Sequence, residues 1–365
     1  MTEAPNEKSE MSAFQQTDFE RITKIVTAEF QVEDTQMEYG TPTYYLKWPQ
    51  ETKQAFLRLL GKLEEMKLIA FLRKVNDRIV LRVVVKPPVK PSDPKIYWGF
   101  FFATVATTFV AGYLSFEGSG LSPFLTGAIF SAAIMTVLGL HEMGHKITAN
   151  RRKVEATSPY FIPGLPPLGT LGAVIMQKSL PPNKDALFDI GANGPLAGFV
   201  VALVFSAVGL SMLTPTTVAP GTGLPLMPLS WRYLFLPGEG SLGLLNSLGL
   251  IPPSESGYAL NPLAWAGWAG LVVTMLNLLP AAMLDGGHVA RSIVPDKLRY
   301  VLTVVSVAVL VLSGTEFLFM AFIIVFMSLF KHPGPLDDVS GLSRSKKLLT
   351  IVLVVVFALS FPIRI

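Results

Sequence analysis

The sequence predicts an α-helical multi-span membrane protein, of about seven spans with a re-entrant segment at 156–180, that carries a small α+β N-terminal soluble domain. Three observations lead there. The 365 residues are 50% hydrophobic and only 15% charged, against roughly 25% charged in an ordinary soluble chain, and the mean hydropathy is +0.48. A water-facing surface must be clothed in polar groups, and this composition does not supply them. Charge is also partitioned: residues 1–95 hold 15 Lys/Arg and 14 Asp/Glu, whereas the remaining 270 hold 15 and 12. The charge-poor part, finally, breaks into apolar stretches near the ~20 residues that a helix needs to cross a bilayer. Absence of cysteine excludes disulfides, iron–sulfur clusters and thiolate metal sites. A net charge of +4 gives no reason to expect a nucleic-acid partner.

Taken in order, residues 1–17 read as a disordered tail and 18–92 as a small cytoplasmic α+β domain with its linker. Residues 19 to about 30 are weakly helical. Pro49-Gln50-Glu51 opens a firmer helix to about Lys67, in which Phe56, Leu59, Leu60, Leu63 and Met66 recur at three- and four-residue spacing and share one face. Residues 68–72 and 79–85 read as strands about a polar turn at Asn76-Asp77. The run Lys86-Pro87-Pro88-Val89-Lys90-Pro91 is a stiff linker.

Residues 93–365 form the membrane-embedded domain, with spans expected at about 96–115, 124–147, 186–212, 260–286, 298–314, 315–331 and 346–363. Residues 156–180 contain Pro159, Pro163, Pro166 and Pro167 with Gly164, Gly169 and Gly172, too broken for a spanning helix. Such backbone is tolerated at membrane depth only inside protein or around a polar cavity, so a re-entrant loop or short hairpin is expected. Residues 214–258, apolar but rich in Pro and Gly, read as a long loop on the far membrane face. Basic clusters at 86–95, 151–153, 178–184, 291–299 and 331–347 all fall on one side of seven spans when the N-terminal domain is cytoplasmic. The expected location is the cell membrane, multi-pass, with the N-terminus and the active-site motifs toward the cytoplasm.

The second expected span ends in His141-Glu142-Met143-Gly144-His145. Residues four apart share a helix face, so both imidazoles reach one ion with Glu142 beside it. Two histidines and a carboxylate are a catalytic zinc set that leaves the fourth position open. With four histidines in the chain, this pattern arises by accident in roughly one such sequence in a thousand. Placing it at the end of a span also carries a desolvation cost that calls for a reason. The third ligand comes from elsewhere, and the acidic residues within apolar spans besides Glu142 are Asp189 and Asp285, Glu316 falling at the opposite membrane face. The fourth expected span runs inward and ends at Leu284-Asp285-Gly286-Gly287-His288, which brings Asp285 to the leaflet of the two histidines. The paired glycines permit close approach there. Taken alone, Asp285 also suits a helix-terminal turn. Asp189 lies beside a basic loop and reads as a helix N-terminal charge. Asp285 is the expected ligand.

HEMGH at 141–145, FDIGANGPLAGF at 188–199 and NLLPAAMLDGG at 277–287 together resemble the site-2 protease family of intramembrane zinc metalloproteases. Within it they resemble the branch that holds the chloroplast EGY-type proteases and their bacterial and archaeal relatives. GTLGAVI at 169–175 and HPGPLDD at 332–338 are similar to stretches of that branch, and the resemblance covers most of residues 20–345. It implies one Zn2+ per chain held by His141, His145 and Asp285, with Glu142 as the catalytic acid/base. It also implies a substrate that is a transmembrane segment of another membrane protein. LDGG is preceded here by NLLP, where some members have an NPDG form, a departure that bears on substrate preference.

The family has a polar residue in its third-span motif, where this chain has Asn193. Two readings stand for it: an amide donor to a tetrahedral oxyanion, or an interhelical hydrogen bond among the small residues Gly191, Gly194 and Gly198. Asn277 has the same two-sided reading, as a group that orients a ligand or holds substrate backbone or as a satisfied membrane amide, the latter weighing more. His288 reads as interfacial, with support of the ligand shell as the alternative, and His332 as a loop residue. A substrate helix must unwind before attack, and unwound backbone in a membrane needs new partners. Residues 169–175 offer a strand edge for it. Two other classes fit the sequence less well. A membrane protease of the HtpX/CAAX-processing type draws its third ligand from a glutamate on a soluble helix, and Glu155, Glu239 and Glu255 lack such a setting. A transporter with an accidental HExxH motif would scatter polar residues through several spans, whereas the ionisable ones gather at two points.

Overall fold

The computed structural model describes residues 16–89, 91–115, 120–215, 226–236, 243–251, 258–330 and 332–364. Residues 1–15 of the expected tail and residues 216–225, 237–242 and 252–257 of the expected 214–258 loop lie outside the described residues. The chain divides into two compact units.

The first unit contains α1 (Gln16–Glu29), β1 (Val32–Glu38), β2 (Thr41–Leu46), α2 (Lys53–Glu64), β3 (Leu68–Val75) and β4 (Arg78–Val85). The strands form one antiparallel sheet in the order β1-β2-β4-β3. Ile22 and Val26 of α1 and Phe56, Leu59 and Leu63 of α2 are buried with Tyr44, Leu72 and Leu81 of the sheet. The periodic face of α2 is thus its core face. Glu29 closes the outside of this layer, accepting hydrogen bonds from Lys62 at 2.6 Å and Arg58 at 2.8 Å. The Lys62 contact holds the Glu29 carboxyl below the usual carboxylate range against the opposing effect of burial, with Arg58 adding to it.

The hairpin β1–β2 was not foreseen. Its first strand, VEDTQME, has no apolar alternation, because it is an edge strand with acidic residues facing water, a device that discourages further pairing. Its second strand contains Pro42, which normally demotes a strand reading. The turn is Tyr39-Gly40, both with positive φ, matched by Asn76-Asp77 between β3 and β4.

The opposite sheet edge, β3, is covered by the chain itself. Leu72 donates its N–H to the Leu336 carbonyl at 2.9 Å and accepts from Asp338 at 3.1 Å. Leu336 and Asp337 donate in turn to the carbonyls of Pro181 and Pro182. Leu180–Lys184 and Pro333–Leu342 therefore belong to the first unit, with Leu336 in its core and the Asp337 carboxylate accepting from the backbone N–H groups of Val339 and Ser340.

The second unit holds three helices long and apolar enough to cross a membrane: α3 (Pro94–Ser115), α4 (Pro123–Arg151) and α5 (Lys184–Ser211). Between α4 and α5 the broken segment forms the antiparallel hairpin β5 (Tyr160–Pro163) and β6 (Thr170–Val174). Its tip rests on α3, where Thr107 Oγ1 donates to the Gly169 carbonyl at 2.6 Å. After α5 come β7 (Thr214–Pro215), β8 (Leu226–Pro228), a π-turn at Trp231–Phe235, α6 (Leu244–Ser247) and β9 (Tyr258–Ala259). The chain continues with α7 (Pro262–Leu278), α8 (Asp285–Ile293), α9 (Asp296–Ser313), α10 (Leu318–Ser328), α11 (Arg344–Ser360) and β10 (Pro362–Arg364).

The expected single span at 260–286 is corrected here. It is α7, then a turn, then α8 beginning at Asp285. Pro280 cannot continue a helix and disfavours helical backbone in the residue before it. The turn folds so tightly that a Cβ on Gly286 would lie 2.2 Å from the Leu278 carbonyl oxygen. The LDGG glycines are required by that reversal. Small residues likewise let α4, α5 and α7 meet backbone to backbone: a Cβ on Gly144 would lie 2.5 Å from the Asn193 carbonyl oxygen, and one on Gly209 2.2 Å from the Ala264 nitrogen.

Candidate metal centre

Helix α4 is capped by Ser122 with Pro123 in its first turn and runs 29 residues, so His141 and His145 lie well inside a rigid element. Both are buried, as is Glu142 between them, at 3–5% exposure. Asp285 enters from the first position of α8, delivered by the turn at Pro280. The two imidazole Nε2 atoms are 3.1 Å apart, and Asp285 Oδ2 lies 3.2 Å from that of His141 and 3.1 Å from that of His145. Glu142 Oε1 stands 4.0 Å from His141 Nε2.

His145 Nδ1 donates to the Ile190 carbonyl at 2.7 Å. In the neutral ring this leaves Nε2 as a lone pair aimed at a carboxylate oxygen, acceptor facing acceptor, which repels unless a cation lies between them. A triangle of sides 3.1, 3.1 and 3.2 Å has its centre about 1.8 Å from each corner. A point about 2.0–2.1 Å from all three, the reach of zinc to nitrogen and oxygen, therefore exists just off its plane. The donor set fits a divalent metal held by His141, His145 and Asp285.

The walls are built as closely as the ligands. A Cβ on Gly194 would fall 2.0 Å from His145 Nε2, and one on Gly198 2.9 Å from His141 Nδ1, so both rings occupy space that only glycine leaves. Asn277 Nδ2 approaches His141 Nε2 to 3.3 Å, which brings it to the ligands. Asn193 is placed differently: its amide donates to Thr148 Oγ1 on α4 at 2.9 Å, the interhelical arrangement. The backbone amide of Ile175, just past β6, interacts with the Glu142 carboxylate, so the hairpin borders the site.

Several participants had no side-chain signature in the sequence. The Ile190 carbonyl is one, because backbone acceptors are the same in every residue. Thr148, seven residues after His141 and on its face, was findable by helix periodicity. His332 is not a plain loop residue: it is buried, and its Nε2 meets His288 Nδ1 at 2.8 Å, three residues past Asp285.

A membrane-embedded helical unit enclosing two imidazoles, one carboxylate and an adjacent glutamate defines a metallopeptidase class of site. Residues 129–313 match peptidase family M50, and the chain belongs to that family, in its EGY-like branch of site-2 proteases. Among curated proteins it is similar to "Probable zinc metalloprotease EGY2, chloroplastic" of Arabidopsis thaliana, 32% identical over 287 residues, which is 75% of this chain and 50% of the relative. It is also similar to "Probable zinc metalloprotease EGY1, chloroplastic" of Oryza sativa subsp. japonica, 38% identical over 177 residues, 46% of this chain and 28% of the relative. The Arabidopsis thaliana EGY1 protein is 36% identical over 180 residues, 47% and 30% of the two chains. The chain spans about half the length, or less, of these relatives. No solved structure gives a significant match.

Proposed function

We propose that this protein is an intramembrane zinc endopeptidase that hydrolyses a peptide bond within or near a transmembrane segment of a membrane-protein substrate. The observation that carries this reading is the convergence of His141, His145 and Asp285 on one point with Glu142 beside it, inside a unit with three membrane-length helices. Zinc held there supplies a Lewis acid for the scissile carbonyl and makes a water molecule acidic near neutral pH. His141, His145 and Asp285 would hold it. Glu142 takes the proton from the attacking water and passes it to the leaving amine, as a general base and then acid. Gly194 and Gly198 leave the space that the two rings occupy.

The substrate helix unwinds to expose its carbonyl, and the hairpin β5–β6 receives the extended strand along β6. Leu171 and Val174 of β6 are exposed, and the pairing would use the backbone N–H and C=O groups on the edge of β6 away from β5. Asn277 Nδ2 stands 3.3 Å from His141 Nε2, placed to hold substrate backbone; Asn193 serves α4–α5 packing through Thr148 and is released to an oxyanion only if that bond opens. Seven spans, an N-terminus and active site toward the cytoplasm and a location in the cell membrane agree with the distribution of basic residues.

Purified full chain in lipid nanodiscs, given a transmembrane model substrate, tests the reading. Glu142→Gln is expected to keep one zinc per chain and lose cleavage; Asp285→Ala is expected to lose both. Cleavage by the Glu142→Gln variant at the wild-type rate would refute the assignment.

A further inference from the structure

We infer that Asp189 is a positioning residue for the metal centre: clamped between Arg152 and Lys346, it fixes the register of α5 against α4 so that the Ile190 carbonyl holds His145 in its ligating tautomer. The inference rests on the metal reading above and adds a residue to it.

Asp189 does not do what a helix N-terminal charge does. Helix α5 begins at Lys184, and its first-turn acid is Asp185, which accepts from the backbone N–H of Ser343 at 2.9 Å and from its hydroxyl. Asp189 lies a turn further in and is buried. A buried carboxylate is strongly unfavourable unless it is paired and hydrogen-bonded on both oxygens. Here Arg152 donates to Oδ2, and Lys346 donates to Oδ1 at 2.6 Å. Arg152 caps the C-terminal end of α4, and Lys346 lies in the first turn of α11. One carboxylate thus ties the ends of three helices.

The register it ties is the one the ligand needs. Arg152 lies two turns after His145 on the same face of α4, and Asp189 is the residue before Ile190, whose carbonyl accepts from His145 Nδ1. A ligating histidine is oriented by the partner of its other ring nitrogen. Between these two links, Gly194 leaves the space that the His145 ring fills. A slip of α5 by one residue puts the side chain of Asn193 or Pro195 into that space and takes the carbonyl away from Nδ1. Among the described residues His145 Nδ1 meets a backbone carbonyl and no side chain, so the placement of that carbonyl falls to the charge cluster that sets the helix.

The test uses the full chain in nanodiscs, with Zn2+ affinity read by chelator competition, the visible spectrum of the Co2+ form and the thermal midpoint. Asp189→Asn is expected to weaken Zn2+ binding by about 10–100-fold and to alter the Co2+ bands. Arg152→Gln is expected to act the same way and Arg152→Lys to restore both readouts. Thr126→Val, which removes a hydrogen bond to the Gly112 carbonyl at the far end of α4, is expected to lower the thermal midpoint while leaving both metal readouts at wild type. If Asp189→Asn fails to fold, the Arg152→Gln and Arg152→Lys pair decides. Wild-type affinity and spectrum in Asp189→Asn or Arg152→Gln would overturn the inference, as would an equal loss in Thr126→Val. Failure of the metal reading itself looks different: the wild type and His145→Ala would then bind Co2+ alike.

Discussion

Gly194→Ala places one methyl group against one proposed metal ligand. The added Cβ would stand 2.0 Å from His145 Nε2 and 2.3 Å from Cε1, whereas ordinary contact begins at 3.4 Å. The ring must therefore retreat by about 1.4 Å, and metal–ligand bonds tolerate only about 0.2 Å. His145 is lost as a ligand, and zinc affinity is expected to fall by at least ~100-fold, more than the loss of an orienting partner causes. Global stability changes less: overpacking costs about 1–3 kcal/mol, and alanine returns about 1 kcal/mol of helix propensity. Gly198→Ala is a milder form, because its Cβ would stand 2.9 Å from His141 Nδ1 and a shift of about half an ångström relieves it; a fall of about tenfold is expected. Gly139→Ala is the control on the same helix as His141, its nearest neighbour being Phe161 at an ordinary 3.8 Å. Zinc competition titrations on the three variants, with thermal unfolding alongside, should place Gly194→Ala lowest in metal affinity, Gly198→Ala next and Gly139→Ala at wild type. Wild-type affinity in Gly194→Ala would refute the reasoning, because the ring would then not be where the ligand must be.

Further outcomes concern both units. Proline at Ala173 or Val174 should reduce cleavage of a transmembrane substrate several-fold with zinc content unchanged, since proline removes a donor from the strand edge; unchanged cleavage removes the role given to β6. Leu336→Ala should destabilise the first unit by about 2–5 kcal/mol, measured as faster hydrogen exchange in β3 and β4, although residue 336 is remote from them in sequence. Glu29 has a folded pKa below its ordinary 4.5 because of Lys62 and then Arg58. Its contribution is present above that value and is lost as pH falls through the folded one, so the stability gap between wild type and Glu29→Gln should be constant from pH 6 to 8 and close on acidification below about 4.5, with a size under about 1 kcal/mol. A gap that widens in acid contradicts the assignment.

The site was more legible than the fold around it. HEMGH needs only helix periodicity to align its imidazoles, and Asp285 follows from the rarity of acids in apolar sequence and from the direction of one span. Helix α2 and the β3–β4 hairpin were legible for the same reason, a period that burial imposes. What stayed hidden depends on contacts remote in sequence or on backbone atoms. Strand β1 shows no alternation because an edge strand may be polar, and nothing around 180–184 or 333–342 announces that these segments finish a sheet begun near residue 32. Pro280 was visible, yet the apolar run on either side of it hid the break between α7 and α8. The glycines of α5 read as generic close packing; only coordinates show that two of them are the moulds of the ligand rings. Asp189 was seen, and its sequence neighbours suggested a helix terminus, while Arg152 and Lys346, its actual partners, lie on two other helices.

Every proposal above depends on one metal ion bound by two imidazoles and one carboxylate, at His141, His145 and Asp285. Zinc X-ray absorption on the full-length Glu142→Gln protein tests it most directly. The expected spectrum has one zinc per chain with four nitrogen or oxygen neighbours near 2.0–2.1 Å, two of them with imidazole outer scattering, and one imidazole fewer in a His145→Ala counterpart. A zinc shell in which the imidazole scattering is unchanged by His145→Ala, or in which Asp285→Ala leaves zinc content and shell intact, would contradict it.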